Sequence, residues 1–255
     1  TDSTSNNGAV TFTSTVDGEK TLTITSGSGA VEFGGNIGAT TALSDLTVNS
    51  SAGTGAITFS GNVGTSTAAG AAAVAIGNAD TASITFAGVE FTSSGAQTFT
   101  ADAYSITGAD STFATSNANI TFTDGGADGG ITLADIADLT LSTELGGSGG
   151  GNIAVNVPIA GTAGDGDDAT DVTMTAGSGT ISIEDISTDI NDVLLTSTGG
   201  ISLDGSITTA VDSDETGATS GVVTLTGPVT LAGNTTIDTD STSNNGAVTF
   251  TSTVD

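Results

Sequence analysis

Twenty-nine acidic residues stand against a single Lys or Arg among 255, a formal net charge of −28, and that imbalance removes whole classes of partner. Phosphate backbones and anionic headgroups are held by basic footprints, so nucleic acid and anionic lipid are excluded as direct partners. The lack of Cys and His also excludes disulfide frameworks, thiolate metal sites and the usual acyl-transfer triads.

The residues that remain favour strands. The chain is 36% hydrophobic, enough to bury a core. Its Val, Ile, Leu and Phe are set among Thr, Ser, Gly and Asp, whereas the strong helix formers Lys, Arg, Gln and Glu are scarce. β-Branched side chains fit a pleated surface, and an all-β fold is expected. No run of about 18 apolar residues is present to cross a bilayer, so direct membrane insertion is not expected.

Residues 1–17 return without change as residues 239–255, an offset of 238 (239 − 1). Residues 1–238 therefore read as one full repeat and residues 239–255 as the start of the next, identical one. Along the repeat, apolar-x-apolar triplets recur. Val10-Thr11-Phe12 is followed by Leu22-Thr23-Ile24, Val31-Glu32-Phe33, Leu46-Thr47-Val48, Ile57-Thr58-Phe59, Val74-Ala75-Ile76 and Ile84-Thr85-Phe86. After a less regular stretch come Ile120-Thr121-Phe122, Ile131-Thr132-Leu133, Leu139-Thr140-Leu141, Ile153-Ala154-Val155, Val172-Thr173-Met174, Ile181-Ser182-Ile183 and Ile201-Ser202-Leu203. Val223-Thr224-Leu225, Val229-Thr230-Leu231 and the duplicated Val248-Thr249-Phe250 complete the series. Period-two alternation in short pieces marks strands with one buried face.

A shorter echo lies inside the repeat. Phe33-Gly34-Gly35-Asn36-Ile37-Gly38 reappears as Phe59-Ser60-Gly61-Asn62-Val63-Gly64, 26 residues on (59 − 33). That spacing is one coil of a solenoid whose coils stack at about 4.8 Å and satisfy one another's backbone groups. The expected fold is a right-handed parallel β-helix of about ten coils per repeat; tandem Ig-like β-sandwiches are the alternative. Gly34, Gly35 and Asn36, with Gly61 and Asn62, are expected at corner turns in left-handed backbone positions that Cβ disfavours. Residues 65–73 read as a short helix or corner loop. Residues 146–151, 161–171 and 211–221 read as loops projecting from corners.

Gly-Ala-Val-Thr-Phe-Thr at residues 8–13, Gly-Ala-Ile-Thr-Phe-Ser-Gly-Asn-Val-Gly at 55–64 and Leu-Thr-Val-Asn-Ser at 46–50 resemble the repeats of filamentous-haemagglutinin-like adhesins. Those very large secreted bacterial proteins share this look with autotransporter passenger domains. The resemblance implies a right-handed parallel β-helix displayed outside the cell, at its surface or in an extracellular filament.

Lys20, the one side-chain amine apart from the terminus, reads as a solvated lysine, and no phosphate-binding glycine loop carries a lysine. A carboxylate pair could in principle hydrolyse a glycoside, but aromatics are only 4% of the chain and arginine platforms are missing. The chain is therefore expected not to be an enzyme; a glycan-active β-helix is the least favoured alternative. For Ca²⁺, hard oxygen ligands on a flexible loop are wanted. Asp165, Asp167 and Asp168 with Asp171 form the densest such cluster. The expected function is structural: a fibre, stalk, sheath or matrix filament whose partner is itself, end to end or laterally. An adhesin shaft whose corner loops bind glycans or other cells is the second expectation.

Overall fold

The computed structural model describes residues 8–126, 129–135, 137–147, 149–162, 170–187, 189–209, 221–239 and 246–255. These residues form two sheets in which every strand pairing is parallel, and no helix occurs among them. One sheet has ten strands, from Val10–Phe12 through Val31–Phe33, Ile57–Phe59, Ile84–Phe86 and Tyr104–Ile106 to Ile237–Asp238. It forms the first face of a coil that makes ten passes. The other sheet has sixteen strands and covers two faces. Its two branches meet in Leu43–Val48 and Ala71–Gly77, strands long enough to run along the second face and onto the third.

Each turn of the chain visits the faces in the same order. Tyr104–Ile106 lies on the first, Asp110–Thr115 on the second and Ile120–Asp124 on the third. The next turn repeats this with Ile131–Leu133, Asp138–Ser142 and Ile153–Asn156. The parallel β-solenoid is thus the fold, and the antiparallel pairing of stacked sandwiches is not found in its sheets. Tight turns connect antiparallel strands, but parallel neighbours need a crossover; here the other two faces of each turn serve as that crossover.

Register is set by the triplets. Val31↔Ile57↔Ile84 and Phe33↔Phe59↔Phe86 lie directly over one another, so like stacks on like along the axis. The usual burial pattern is buried, partly buried, buried, as in Ile57–Phe59 and Ile181–Ile183; the central Thr or Ser faces out. A one-residue slip would turn each apolar pair to solvent.

The core changes character along its length. Phe12, Phe33, Phe59 and Phe86 form a column of nearly parallel, stacked rings, 5.1, 5.0 and 5.8 Å apart. Phe91 with Phe113 and Phe99 with Phe122 make two further stacked pairs, both at 4.8 Å. Phe86 joins the columns by edge contacts with Phe91, Phe99 and Phe113. Beyond Phe122 the buried column is aliphatic, with Ile131, Leu139, Ile153, Ile181 and Leu195 all at or below 1% exposed. Tyr104 sits inside as well. Its hydroxyl donates to the Thr123 carbonyl at 2.6 Å and accepts the Ala101 N–H at 3.0 Å, and burial holds its proton far more tightly than in water.

The triplets alone leave the faces open, and two expectations need correction. The strong triplets at 84 and 120 lie on different faces. Ile84 belongs to the first face and Ile120 to the third, and Tyr104-Ser105-Ile106 takes the first-face place between them. Of the two readings of residues 65–73, the corner loop holds for 65–70, where Thr65 and Ala68 close an antiparallel bridge, but from Ala71 the chain is a strand, Ala71–Gly77, with Ala71 fully buried. Small side chains let the strand turn the corner between two faces. Finally, Gly34, Gly35, Asn36, Gly61 and Asn62 do lie between a first-face strand and a second-face bridge, but none has a left-handed φ; Gly38 and Gly64, two residues past each Asn, do, at 64° and 77°. Gly35 and Gly61 are required for another reason. A Cβ on Gly61 would lie 2.5 Å from the Gly35 carbonyl carbon, and one on Gly35 equally close to that of Ser14. The corner backbones stack too closely for any side chain.

Truncating Phe86 removes the ring that ties the aromatic columns together. Phe86→Ala is expected to cost about 3–5 kcal/mol, whereas Phe250→Ala, at a ring 38% exposed, should cost less than about 1 kcal/mol. Urea unfolding of the two variants checks both values.

Candidate functional site

The most regular polar features lie at the corners, where backbone N–H groups turn away from the strand ladders and need other acceptors. At the corner leading onto the second face, side-chain oxygens of one coil accept them from the next. The Asn62 N–H donates to Asn36 Oδ1 at 3.0 Å, and the Val89 N–H to Asn62 Oδ1 at 2.9 Å. Further along the same corner the acceptors are carboxylates. Asp171 N–H donates to Asp138 Oδ1 at 2.9 Å, Asp192 N–H to Asp171 Oδ1 at 2.9 Å and Val222 N–H to Asp192 Oδ1 at 2.6 Å. A parallel ladder, Asn119 to Asn152 to Thr180, occupies the corner between the second and third faces, both steps at 2.9 Å.

The carboxylate ladder includes one of the four candidate metal ligands. Asp165, Asp167 and Asp168 lie outside the described residues. Asp171 lies immediately before the second-face strand Val172–Gly177. Its Oδ1 accepts two donors, the Asp192 backbone N–H and, at 3.3 Å, the Asn191 side-chain amide. That oxygen is engaged in joining coils. Residues 163–169 and 211–220, the centres of two expected loops, also lie outside the described residues.

The third corner, from the third face back to the first, also carries acids. Asp124, Gly129, Asn156, Val157, Pro158, Glu184 and Asp185 line an open groove there. Partial burial raises the Glu184 pKa above the usual glutamate value, and the charges of Asp204, Asp185 and Asp124 add to the effect. Asp185 meanwhile accepts the Ser206 N–H at 2.6 Å. The acids border the groove without converging: among the described residues no group of three or more acids is placed to hold a metal ion. On the second face, Glu90 carries a buried Oε2 without a hydrogen-bond partner, and desolvation raises its pKa too.

Sequence reasoning singled out Asn36 and Asn62 as corner residues and Asp171 as a metal ligand, but missed the hydrogen-bond ladders they belong to and the other members. A signal was present in the polar residue just before a strand, as in Asn119-Ile120, Asn152-Ile153, Asp171-Val172 and Asp192-Val193. Compared with protein families, curated proteins and solved structures, the chain has no match.

The carboxylate ladder makes a graded prediction. Asp171→Asn keeps the accepting oxygen and removes one of three stacked charges, so stability should hold or rise. Asp171→Ala leaves the Asp192 N–H without its acceptor and should cost about 1–3 kcal/mol. Equal losses for the two substitutions in chemical denaturation would contradict the ladder role.

Proposed function

We propose that the chain is a segment of an extended structural shaft, built of tandem repeats and displayed at a cell surface or in an extracellular filament. The observation that carries this reading is directional. Strand pairing, aromatic and aliphatic stacking, and corner hydrogen bonds all run along one axis from coil to coil. Such a stack grows by adding coils, since each new coil pairs with the edge left by the last. The duplicated residues 1–17 and 239–255 supply the means of extension: the same sequence, continued.

The outward face suits the role. Thr and Ser occupy the central, outward position of triplet after triplet, as in Ile84-Thr85-Phe86 and Ile201-Ser202-Leu203, and the acids at the corners give a self-repelling surface that keeps a long rod from bundling. The resemblance to filamentous-haemagglutinin-like repeats favours the same assignment. The shaft's work is spatial, setting distance and stiffness, with further copies of itself as its principal partner.

Chains of one, two and three periods provide the test. Imaged by negative-stain microscopy, the rod should lengthen by about 45 Å per added period at constant width, between nine and ten turns at about 4.8 Å each. A string of rounded beads, or no steady lengthening, would contradict the shaft.

A further inference from the structure

The duplication gives one sequence in two places, and residues 8–17 and 246–255 of the two copies can be compared directly. They do not occupy equivalent positions. In the first copy Val10–Phe12 opens the first face, with Val10 paired to Val31, and Val16 bridges Ile37 on the second. In the second copy Val248–Phe250 lies on the second face, with Val248 paired to Val223, and Val254 bridges Val229 on the third. Each segment has moved on by one face. From the first strand of the ten-stranded face to its tenth is nine turns, and one face more reaches Val248. A period of 238 residues thus winds nine and one-third turns.

We infer that each repeat is rotated by one face, about 120°, relative to the repeat before it, and that the last coil is the seat for residues 18–37 of the following copy. This rests on the tandem-shaft reading and adds a geometry to it.

Nothing in the coil restores the original phase. The first copy's pairings reach only one turn ahead: Val10 to Val31, Val16 to Ile37, Leu22 to Leu46. The same residues after the second copy offer the same partners, whichever face they start from. Val31 of the following copy then falls on Val248, Ile37 on Val254, and Leu22 on Ile237 of the first face. The last coil is shaped to receive them. Leu231, Val248, Phe250 and Val254 are 46%, 40%, 38% and 46% exposed, four of the six exposed large hydrophobic residues among those described. The first-copy counterparts of Val248, Phe250 and Val254, which are Val10, Phe12 and Val16, pack against the core beneath a covering coil, and Phe12 stacks on Phe33 at 5.1 Å. Phe250 gains the same ring from the copy that follows.

The consequence is a shaft without a preferred side. A corner ladder or the turn at residues 65–68 returns to the same side only at every third repeat. Identical features are thus shown in three directions around the axis.

The native chain lacks cysteine, which allows a direct test in the chain lengthened by one period. Thr23 of the second copy is changed to Cys and combined with either Asp238→Cys on the first face or Thr230→Cys on the third. Thr208→Cys with Asp238→Cys, an adjacent pair by register, sets the yield expected for neighbouring coils. A disulfide needs Cα atoms within about 7 Å, so only the pair that is truly stacked will close. The rotated repeat predicts a disulfide with Cys at 238 at the control yield and none with Cys at 230. Closure with 230 instead would overturn the rotation while leaving a continuous shaft. Closure with neither, while the control pair closes and the circular dichroism is unchanged, would overturn the stacking of repeats and the rotation with it.

Discussion

The structure depends on one constraint: a backbone group that points along the axis must find its partner in the coil above or below. Every pairing in both sheets is parallel and joins one turn to the next. The three-residue strands are too short to persist in isolation, and a lone coil buries little. Stability is therefore a property of neighbours, as in other solenoids, and it accumulates along the axis. The sequence rhythm follows from this. Residues one coil apart must match in size and polarity because they lie on top of one another, which is why Phe33 meets Phe59 and Asn36 meets Asn62.

The corners obey the same constraint with different chemistry. Strand residues satisfy each other through the ladder, but at a bend the N–H groups leave it. Asn and Asp side chains bring an acceptor to within 2.6–3.0 Å of them. This gives part of the acidity a structural meaning. Asp138, Asp171 and Asp192 are stacked carboxylates that accept hydrogen bonds across coils, a use in which the stabilisation from each charged hydrogen bond offsets repulsion between them. Glu184 and Glu90 show the opposite balance, since burial and, for Glu184, neighbouring acids favour the protonated form.

Much of this was legible in the sequence, and the limits have physical causes. The triplets gave strand positions because alternation directly encodes a buried face, and the echo between Phe33 and Phe59 gave the coil because identical residues stack. Face assignment was not legible: Ile84-Thr85-Phe86 and Ile120-Thr121-Phe122 look alike, yet lie on different faces, since all three faces ask for the same inward side chains. The glycines at 35 and 61 were placed correctly at corners but for the wrong reason. Composition reveals that no side chain is wanted, whereas close approach of two backbones depends on the coil beneath. The carboxylate ladder was hidden because an acid that accepts N–H groups reads the same as an acid facing water. The rotation of the second copy was hidden too, being a count of turns, which appears only when the register of every coil is known.

Native-state hydrogen exchange on the 255-residue chain tests the coil-to-coil account most directly. If stability is shared between neighbouring turns, amide protection should peak in the middle coils, around Phe86, Phe113 and Phe122, and decline smoothly toward both ends. Two or more separately protected blocks, divided by a stretch that exchanges freely within residues 84–203, would show independent domains and contradict it.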